Sequence, residues 1–463
     1  MTKRYALDMT QGPFLKKILV FSLPLMLTGL LQLLYNTADV VVVGRFAGAQ
    51  SLAAVGSTGS LVNLMLNVFF GISMGTGVMV ARHIGERNPE KIRRCTHTAM
   101  SLSIICGIGV GIFGIAMSRT FLSIMKTPDD VIDLAALYLR IFFMGAPGSL
   151  VYNFGASILR ATGDTRRPLY ILTSTGLLNI ILNLILVIVF KLGVAGVAVA
   201  TITAQYVSAV TVVLLLVRAE NDCRISLRDL HIYGDEALQI IRIGVPAGIQ
   251  NSLFSVSNVI IQSTVNSFGA AAIAGTTAGT NYEQFIYTVV NAVSQTSMTF
   301  TSQNVGAKKH ENINRVYRRC MAIAGAACGI MCVLGALFTR QFVGIFSTDA
   351  EVIEIGIARM TLALKTYMFF SLMDVTVGQL RGLGKSFVPT LVSLAGVCGI
   401  RIGWVYLFLP RSNTLQYMFL AYPISWIITF FAQLINYLTV TFIDGAKRKK
   451  IQREQQNALV VLD

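Results

Sequence analysis

Residues 14–44 read FLKKILVFSLPLMLTGLLQLLYNTADVVVVG. After Lys16 and Lys17 the stretch is almost wholly apolar. It is longer than the roughly 20 residues with which a helix crosses about 30 Å of hydrocarbon, and too long for the core of a signal peptide. Its polar groups, Gln32, Tyr35, Asn36 and Asp39, recur at the helical period and share one face. Pro24, upstream of that face, removes a backbone hydrogen bond and can kink the helix, a hinge candidate. The segment reads as a membrane-crossing helix with one wet side.

The rest of the chain supports that reading. Of its 463 residues, 54% are hydrophobic and 13% charged, against about 25% charged in soluble domains. A soluble globule, a disordered chain and a disulfide-stapled secreted domain are excluded. Apolar blocks bounded by charge, Gly or Pro predict twelve spans, at 15–44, 51–81, 97–118, 134–157, 168–190, 193–217, 239–266, 272–303, 318–342, 355–379, 388–410 and 414–443. The class is an all-α polytopic membrane protein.

The net charge of +16 is read as topology. Most Lys and Arg stand in or beside the N-terminal segment, the even-numbered loops and the tail at 447–450, which assigns those loops and both termini to the cytoplasm. No basic face alternates with aromatics, so nucleic acid is not an expected partner. The seven cysteines are scattered. Cys328 and Cys332 share a helix face without further Cys or His at ligand spacing, so no disulfide, zinc or cofactor is expected.

An internal repeat runs at an offset of 221 residues. Gly48 pairs with Gly269, and Gly85, Glu90, Ile92 and Arg94 with Gly306, Glu311, Ile313 and Arg315; Arg160, Gly163 and Pro168 pair with Arg381, Gly384 and Pro389. Pro24 and Pro246 match one residue further apart, making Pro246 the second hinge candidate. Six spans per repeat predict two pseudo-symmetric six-helix bundles in the same orientation with a cavity between them. The boundaries expected are an N-terminal lobe at 1–217, a cytoplasmic linker at 218–238, a C-terminal lobe at 239–445 and a basic tail at 446–463.

Three acids, Asp39, Glu283 and Asp374, fall inside spans. A charge at mid-membrane costs about 2.5–3.5 kcal/mol on insertion scales and by default faces a cavity with a task. Desolvation disfavours the anion, so Asp39 can exchange a proton near neutral pH or bind a cation. Polar stripes accompany it: Thr175, Asn179 and Asn183; Asn63 and Asn67; Glu283 and Tyr287; Tyr367 and Asp374. Arg401 is read as the one base within the hydrocarbon, paired with Asp374 or another acid, or set against headgroups. Phosphate-binding, nucleophile-elbow and HExxH patterns are missing from the sequence, so an enzyme is not expected.

Pro24 with Asn36–Gly44, Gly48–Gly56, the Gly85 and Gly306 loops, Leu159–Pro168 and Leu380–Pro389 together resemble the multidrug and toxic compound extrusion (MATE) family of secondary antiporters, over about residues 13–445. Within it the chain is similar to the DinF-type, MepA-like bacterial branch. The resemblance implies twelve helices in two rocking lobes, with export of small, mostly cationic amphipathic compounds against H+, the favoured ion, or Na+. It places ion coupling at Asp39 with Asn179 and Asn183; the branch commonly has Asp where Asn183 stands, which favours a proton over a multi-carboxylate sodium site near Asp39. Gln32, Tyr35, Asn36, Asn63, Asn67, Asn153, Glu283, Tyr287, Tyr367 and Asp374 are the substrate-cavity candidates, with Trp404 and Trp426 as further rings for a cation. A monomer in the bacterial cytoplasmic membrane is expected. Two other readings stay open: a flippase for lipid-linked precursors, which would need a strongly cationic cavity, and an intramembrane enzyme.

Overall fold

The computed structural model describes residues 7–460 except 126 and 413, and their side chains except at 49, 52, 60, 130 and 444–460. The basic cluster at 447–450 thus lies outside the described side chains. The chain is a succession of helices: α1 (Phe14–Phe46), α2 (Ala49–Glu86), α3 (Pro89–Ile124), α4 (Asp129–Met144), α5 (Ala146–Ala161), α6 (Arg166–Leu184), α7 (Gly193–Val217), α8 (Gly234–Asn266), α9 (Ala270–Gly306), α10 (His310–Leu337), α11 (Thr339–Gly344), α12 (Ala350–Gly382), α13 (Phe387–Ser393), α14 (Ile400–Gly403), α15 (Leu415–Phe419) and α16 (Ala421–Val460). Within spans five and eleven the ladder widens to π-helix at Ile185–Val189, Leu394–Gly399 and Trp404–Phe408.

Among the described residues, eight helical segments are long and apolar enough to cross a membrane. A ninth span is α4 with α5, bent by 45° at Gly145. Pro147, in the first turn of α5, supplies no N–H to continue the α4 ladder. The remaining three spans of the twelve are α8, α9 and α12, each at least 33 residues long but more polar. Glu283, Asp374 and most of the buried bases discussed below lie on α9 and α12. Together these elements form the twelve-helix, two-lobe architecture.

The repeat is visible in the backbone. Positive φ recurs at Gly48 (86°) and Gly269 (96°), at Gly163 (93°) and Gly384 (81°), and at Arg87 (55°) and Lys308 (57°). Each pair is separated by the sequence offset of the repeat, so the turns that redirect the chain are the same turns twice. Four of these six positions carry Gly, which enters the left-handed region without a Cβ clash.

The lobes meet at the end carrying the loops after spans two, four, eight and ten, here called the basic end. There α2 lies along α8 with backbones in contact. A Cβ on Gly71 would overlap the backbone of Gly244 and Gly248, one on Gly75 that of Ile240, and one on Gly85 or Gly306 the opposing chain at Gln303 or Arg82. These small residues therefore serve helix approach. Farther along α2 the lobes part: the Leu64 carbonyl still accepts from Ser252 at 3.2 Å, but Gly56 and Gly59 meet no atom within 4 Å among the described residues. The cleft opens away from the basic end.

Polar contacts reinforce the closed side. Arg160 donates to Gln295 at 3.0 Å, and Gln303 to the Ala161 carbonyl at 2.8 Å. The segment before α1 plugs the seam: Met9 is fully buried, its carbonyl accepts from Asn304 at 2.9 Å, and the Thr10 carbonyl accepts from Asn312 at 3.0 Å. The linker is docked rather than free, through Arg93 to Asp229 and Arg94 to Asp235.

Candidate functional site

Asp39 sits seven residues before the end of α1, on the half that flanks the open cleft. Its side chain turns into the N-terminal lobe, toward α6. Asn183 Nδ2 donates to Asp39 Oδ1 at 2.5 Å and to Asn179 Oδ1 at 3.3 Å; Asn179 Nδ2 reaches Thr201 Oγ1 of α7 at 3.4 Å. Asn179 and Asn183 are buried, and Tyr138 of α4 lies close enough to interact electrostatically with the carboxylate. The π-helical turn begins two residues past Asn183. Such turns commonly mark functional positions in helices.

The half-buried carboxylate thus heads a file of neutral amides that runs into the N-terminal bundle. Tyr35 packs on Gly176 and donates to the Thr173 carbonyl at 3.3 Å, so it anchors α1 against α6. Gln32, Asn36 and Asn63 are exposed and Asn67 is half-buried, on the two helices that border the cleft. Asn153, also half-buried, donates to the Ser149 carbonyl of its own helix at 2.8 Å. Pro24 and Pro246 lie inside α1 and α8.

The C-terminal lobe differs from its sequence reading. Glu283 is paired with Arg359 of α12, whose Nη2 stands 3.1 and 3.2 Å from the two carboxylate oxygens. Both side chains are buried, Arg359 to 1% exposure. Arg401 therefore is not the single in-span base. Arg359 and Lys365 share span ten, and among the described residues Arg401 meets no acid in direct contact: its Nε donates to Ser425 at 3.1 Å, and its Nη1 lies 3.5 Å from Asn258 Oδ1. The pairing of Arg401 with Asp374 does not occur. Asp374 lies instead near Arg381, Asn291 and Ser294.

Aromatic rings surround this charge. The guanidinium carbons of Arg359 and Arg401 lie 3.8 and 4.4 Å from the Tyr422 ring centroid, and Arg401 is 5.7 Å from that of Trp426. Tyr367 is buried, donates to the Glu283 carbonyl at 3.1 Å and packs on Trp426, while Tyr287 is exposed at the edge of the same cluster. Rings expected to hold a substrate cation are thus occupied in part by the protein's own. Trp404 lies apart, stacked on Phe408 and bonded to the Tyr417 carbonyl.

Magnitudes weigh against a neutralised cluster. Each buried ion carries a desolvation penalty of several kcal/mol. Glu283 offsets one guanidinium, and cation–π contacts recover about 2 kcal/mol when desolvated. One positive charge stays uncompensated. Consistent with that, Arg359 Nε and Nη1 and Trp426 Nε1 are buried without an acceptor among the described residues.

Sequence spacing also missed a group at the lobe seam. His83 of α2, Cys95 of α3 and Glu236 of α8 are buried with ligand-type atoms all within 4.8 Å of one another. His83 bridges Glu236 at 3.0 Å and Glu86 at 3.3 Å. The three are far apart along the chain, and no local spacing announces them.

The MatE family model matches residues 24–185 and 246–407, one copy for each repeat. The chain belongs to the MatE family. This MATE-family chain is 25% identical over 390 residues to the probable multidrug resistance protein YoeA of Bacillus subtilis, covering 83% of this chain and 84% of that one. A solved outward-facing structure of a multidrug resistance MATE family transporter superposes with a TM-score of 0.88 at 22% identity, covering 95% and 98% of the two chains. A transporter of the MOP superfamily from Pyrococcus furiosus, described by the reverse polarity of its binding pocket, gives 0.85 at 23% identity over 93% and 96%. Members of this family are membrane transporters; several of the relatives found are named for multidrug resistance, and one, from Shewanella oneidensis and 25% identical over 348 residues, is named an FAD transporter.

Proposed function

We propose that this MATE-family chain exports small amphipathic organic compounds in exchange for protons taken up at Asp39. The observation that supports the reading is the file Asp39–Asn183–Asn179–Thr201: a carboxylate at the cleft side of the first helix, with only neutral amide and hydroxyl partners behind it. The file also holds neutral oxygens, including Asn183 Oδ1, which is unpartnered among the described residues, but a single carboxylate leaves one group able to change its charge. That group takes a proton without a preformed multi-carboxylate cage. A group with no fixed counter-charge changes its charge by gaining or losing a proton.

Alternating access follows from the seam. Rocking α2 from α8 and α9 would open the basic end, assigned to the cytoplasm by its Lys and Arg, as the other end closes. Pro24 and Pro246 are the proposed hinges, and a monomer in the bacterial cytoplasmic membrane is the proposed unit. Cationic cargo is what the family resemblance implies, and an excess of in-span acids over the single Arg401 would favour it. With Arg359, Lys365 and Arg401 in the C-terminal lobe that count no longer stands, and cationic preference is kept only for the N-terminal half of the cleft.

The test is transport of ethidium into proteoliposomes under an imposed pH gradient alone, then a sodium gradient alone. Uptake driven by pH alone supports the reading. Uptake that follows sodium alone overturns the proton assignment.

A further inference from the structure

We infer that the Arg359–Arg401 cluster of the C-terminal lobe is a binding site for the anionic group of an amphipathic cargo, a carboxylate, sulfonate or phosphate. The inference deepens the exporter reading and rests on it for the word cargo, but the site stands on its own geometry. Two guanidiniums share the Tyr422 ring, at 3.8 and 4.4 Å from its centroid, and a single carboxylate, Glu283, accompanies them. Glu283 engages only Nη2 of Arg359, leaving the Nε and Nη1 donors of that residue buried and unpartnered among the described residues. The indole N–H of Trp426 is orphaned in the same way.

Three buried donors, Arg359 Nε and Nη1 and Trp426 Nε1, exceed the one acceptor of the cluster left without a hydrogen bond, Glu283 Oε1, and two guanidiniums exceed one carboxylate. The complement of that excess is an anion with several acceptor oxygens. The planar fork of Arg suits the flat or trigonal oxygen sets of carboxylate, sulfonate and phosphate better than a halide. Access is from the cleft. Arg401 reaches Asn258, which is exposed on the α8 face carrying Asn251 and Ser255. The rings of Trp426, Phe370 and Tyr287 continue from the arginines to the exposed Tyr287, an apolar wall for the body of the ligand. The π-helical turn Leu394–Gly399 directly precedes the turn that carries Arg401, and shifts where its side chain emerges.

Such an anion could be a soluble amphiphile or a lipid headgroup, and the experiment separates them. Binding of 6-carboxyfluorescein to the purified full chain in uncharged detergent is followed by fluorescence anisotropy, for wild type, Arg401→Gln and Arg401→Lys, with thermal unfolding as the folding control. We expect saturable binding that weakens at least tenfold in Arg401→Gln, less in Arg401→Lys, and is displaced by excess free carboxylate dye. If Arg401→Gln does not fold, Arg401→Lys carries the comparison, since it keeps the charge and loses the fork. Displacement by phosphatidylglycerol micelles at far lower concentration than by the dye would assign the lipid source. An affinity that differs less than twofold between folded wild type and variants, or no saturable binding to wild type, overturns the site. These readouts need no ion gradient, so failure of gradient-driven transport of both ethidium and 6-carboxyfluorescein with anion binding intact would sink the exporter reading and leave the site standing.

Discussion

Asn183 gives its amide hydrogen to the Asp39 carboxylate across 2.5 Å, joining the fifth span to the first over 144 residues of chain. A hydrogen bond to a charged group contributes about 1.5–3 kcal/mol. Asn183→Leu is therefore expected to lower proton-driven transport by roughly 10- to 100-fold without loss of folded protein. Initial transport rates in proteoliposomes, set beside the thermal midpoint, check it.

Asp39→Asn keeps the shape and the partner but fixes the charge at zero. Transport driven by a pH gradient should vanish, while downhill exchange of labelled for unlabelled ethidium across the same membrane persists. Retained gradient-driven accumulation would show that the proton binds elsewhere.

Glu283 and Arg359 form a buried pair, and removing one member strands the other's charge at a cost of about 3–5 kcal/mol. Glu283→Gln should accordingly destabilise more than the double variant Glu283→Gln with Arg359→Gln, in which no charge is orphaned. Unfolding midpoints of the two singles and the double form a thermodynamic cycle, and strict additivity would contradict the pairing.

Gly306 faces the Arg82 carbonyl so closely that a Cβ has no room. Gly306→Val should push α9 off α2 at the basic end, at about 1–3 kcal/mol, and shift the protein toward the state open there. Spin-label distances across the seam are expected to lengthen, together with faster thiol labelling of residues near it.

Asp8, in the plug before α1, has its carboxyl pushed up by burial but pulled below its ordinary value overall, by two hydrogen bonds from Thr10 and by Lys17 and Lys309. Its folded value lies under the unfolded one. It thus adds stability above the ordinary carboxylate range that is lost as pH falls through the folded value. The side chain is mostly exposed, so the effect is small: Asp8→Asn should lower the thermal midpoint near neutral pH by about 1 °C, with the gap closing in acid. A gap that widens on acidification would refute the sign.

Periodicity in the sequence reveals faces, and so Asp39, Asn179 and Asn183 were legible as the wet sides of two helices. It does not say which face meets which. The Glu283–Arg359 pair spans 76 residues, and Arg359, nine residues past the start of α12, has no acid three or four residues away on its own helix to betray it. Span count, repeat and breaks were legible because they depend on hydropathy and on Gly and Pro, both local. The π-helical turns and the meeting of Glu236 with His83 and Cys95 depend on packing between distant segments, and local pattern carries no trace of them, whereas the 45° bend at Gly145 has a local cause in Pro147.

The matched corners at Gly48 and Gly269, and at Gly163 and Gly384, have a consequence for how such a pump can diversify. Since both copies of the motif turn on equivalent joints, electrical character has been free to drift apart between them, acidic in one and basic in the other. On the proposed roles of Asp39 and of the Arg359–Arg401 cluster, the duplication would divide the labour, one copy taking the fuel and its twin the anionic end of the passenger.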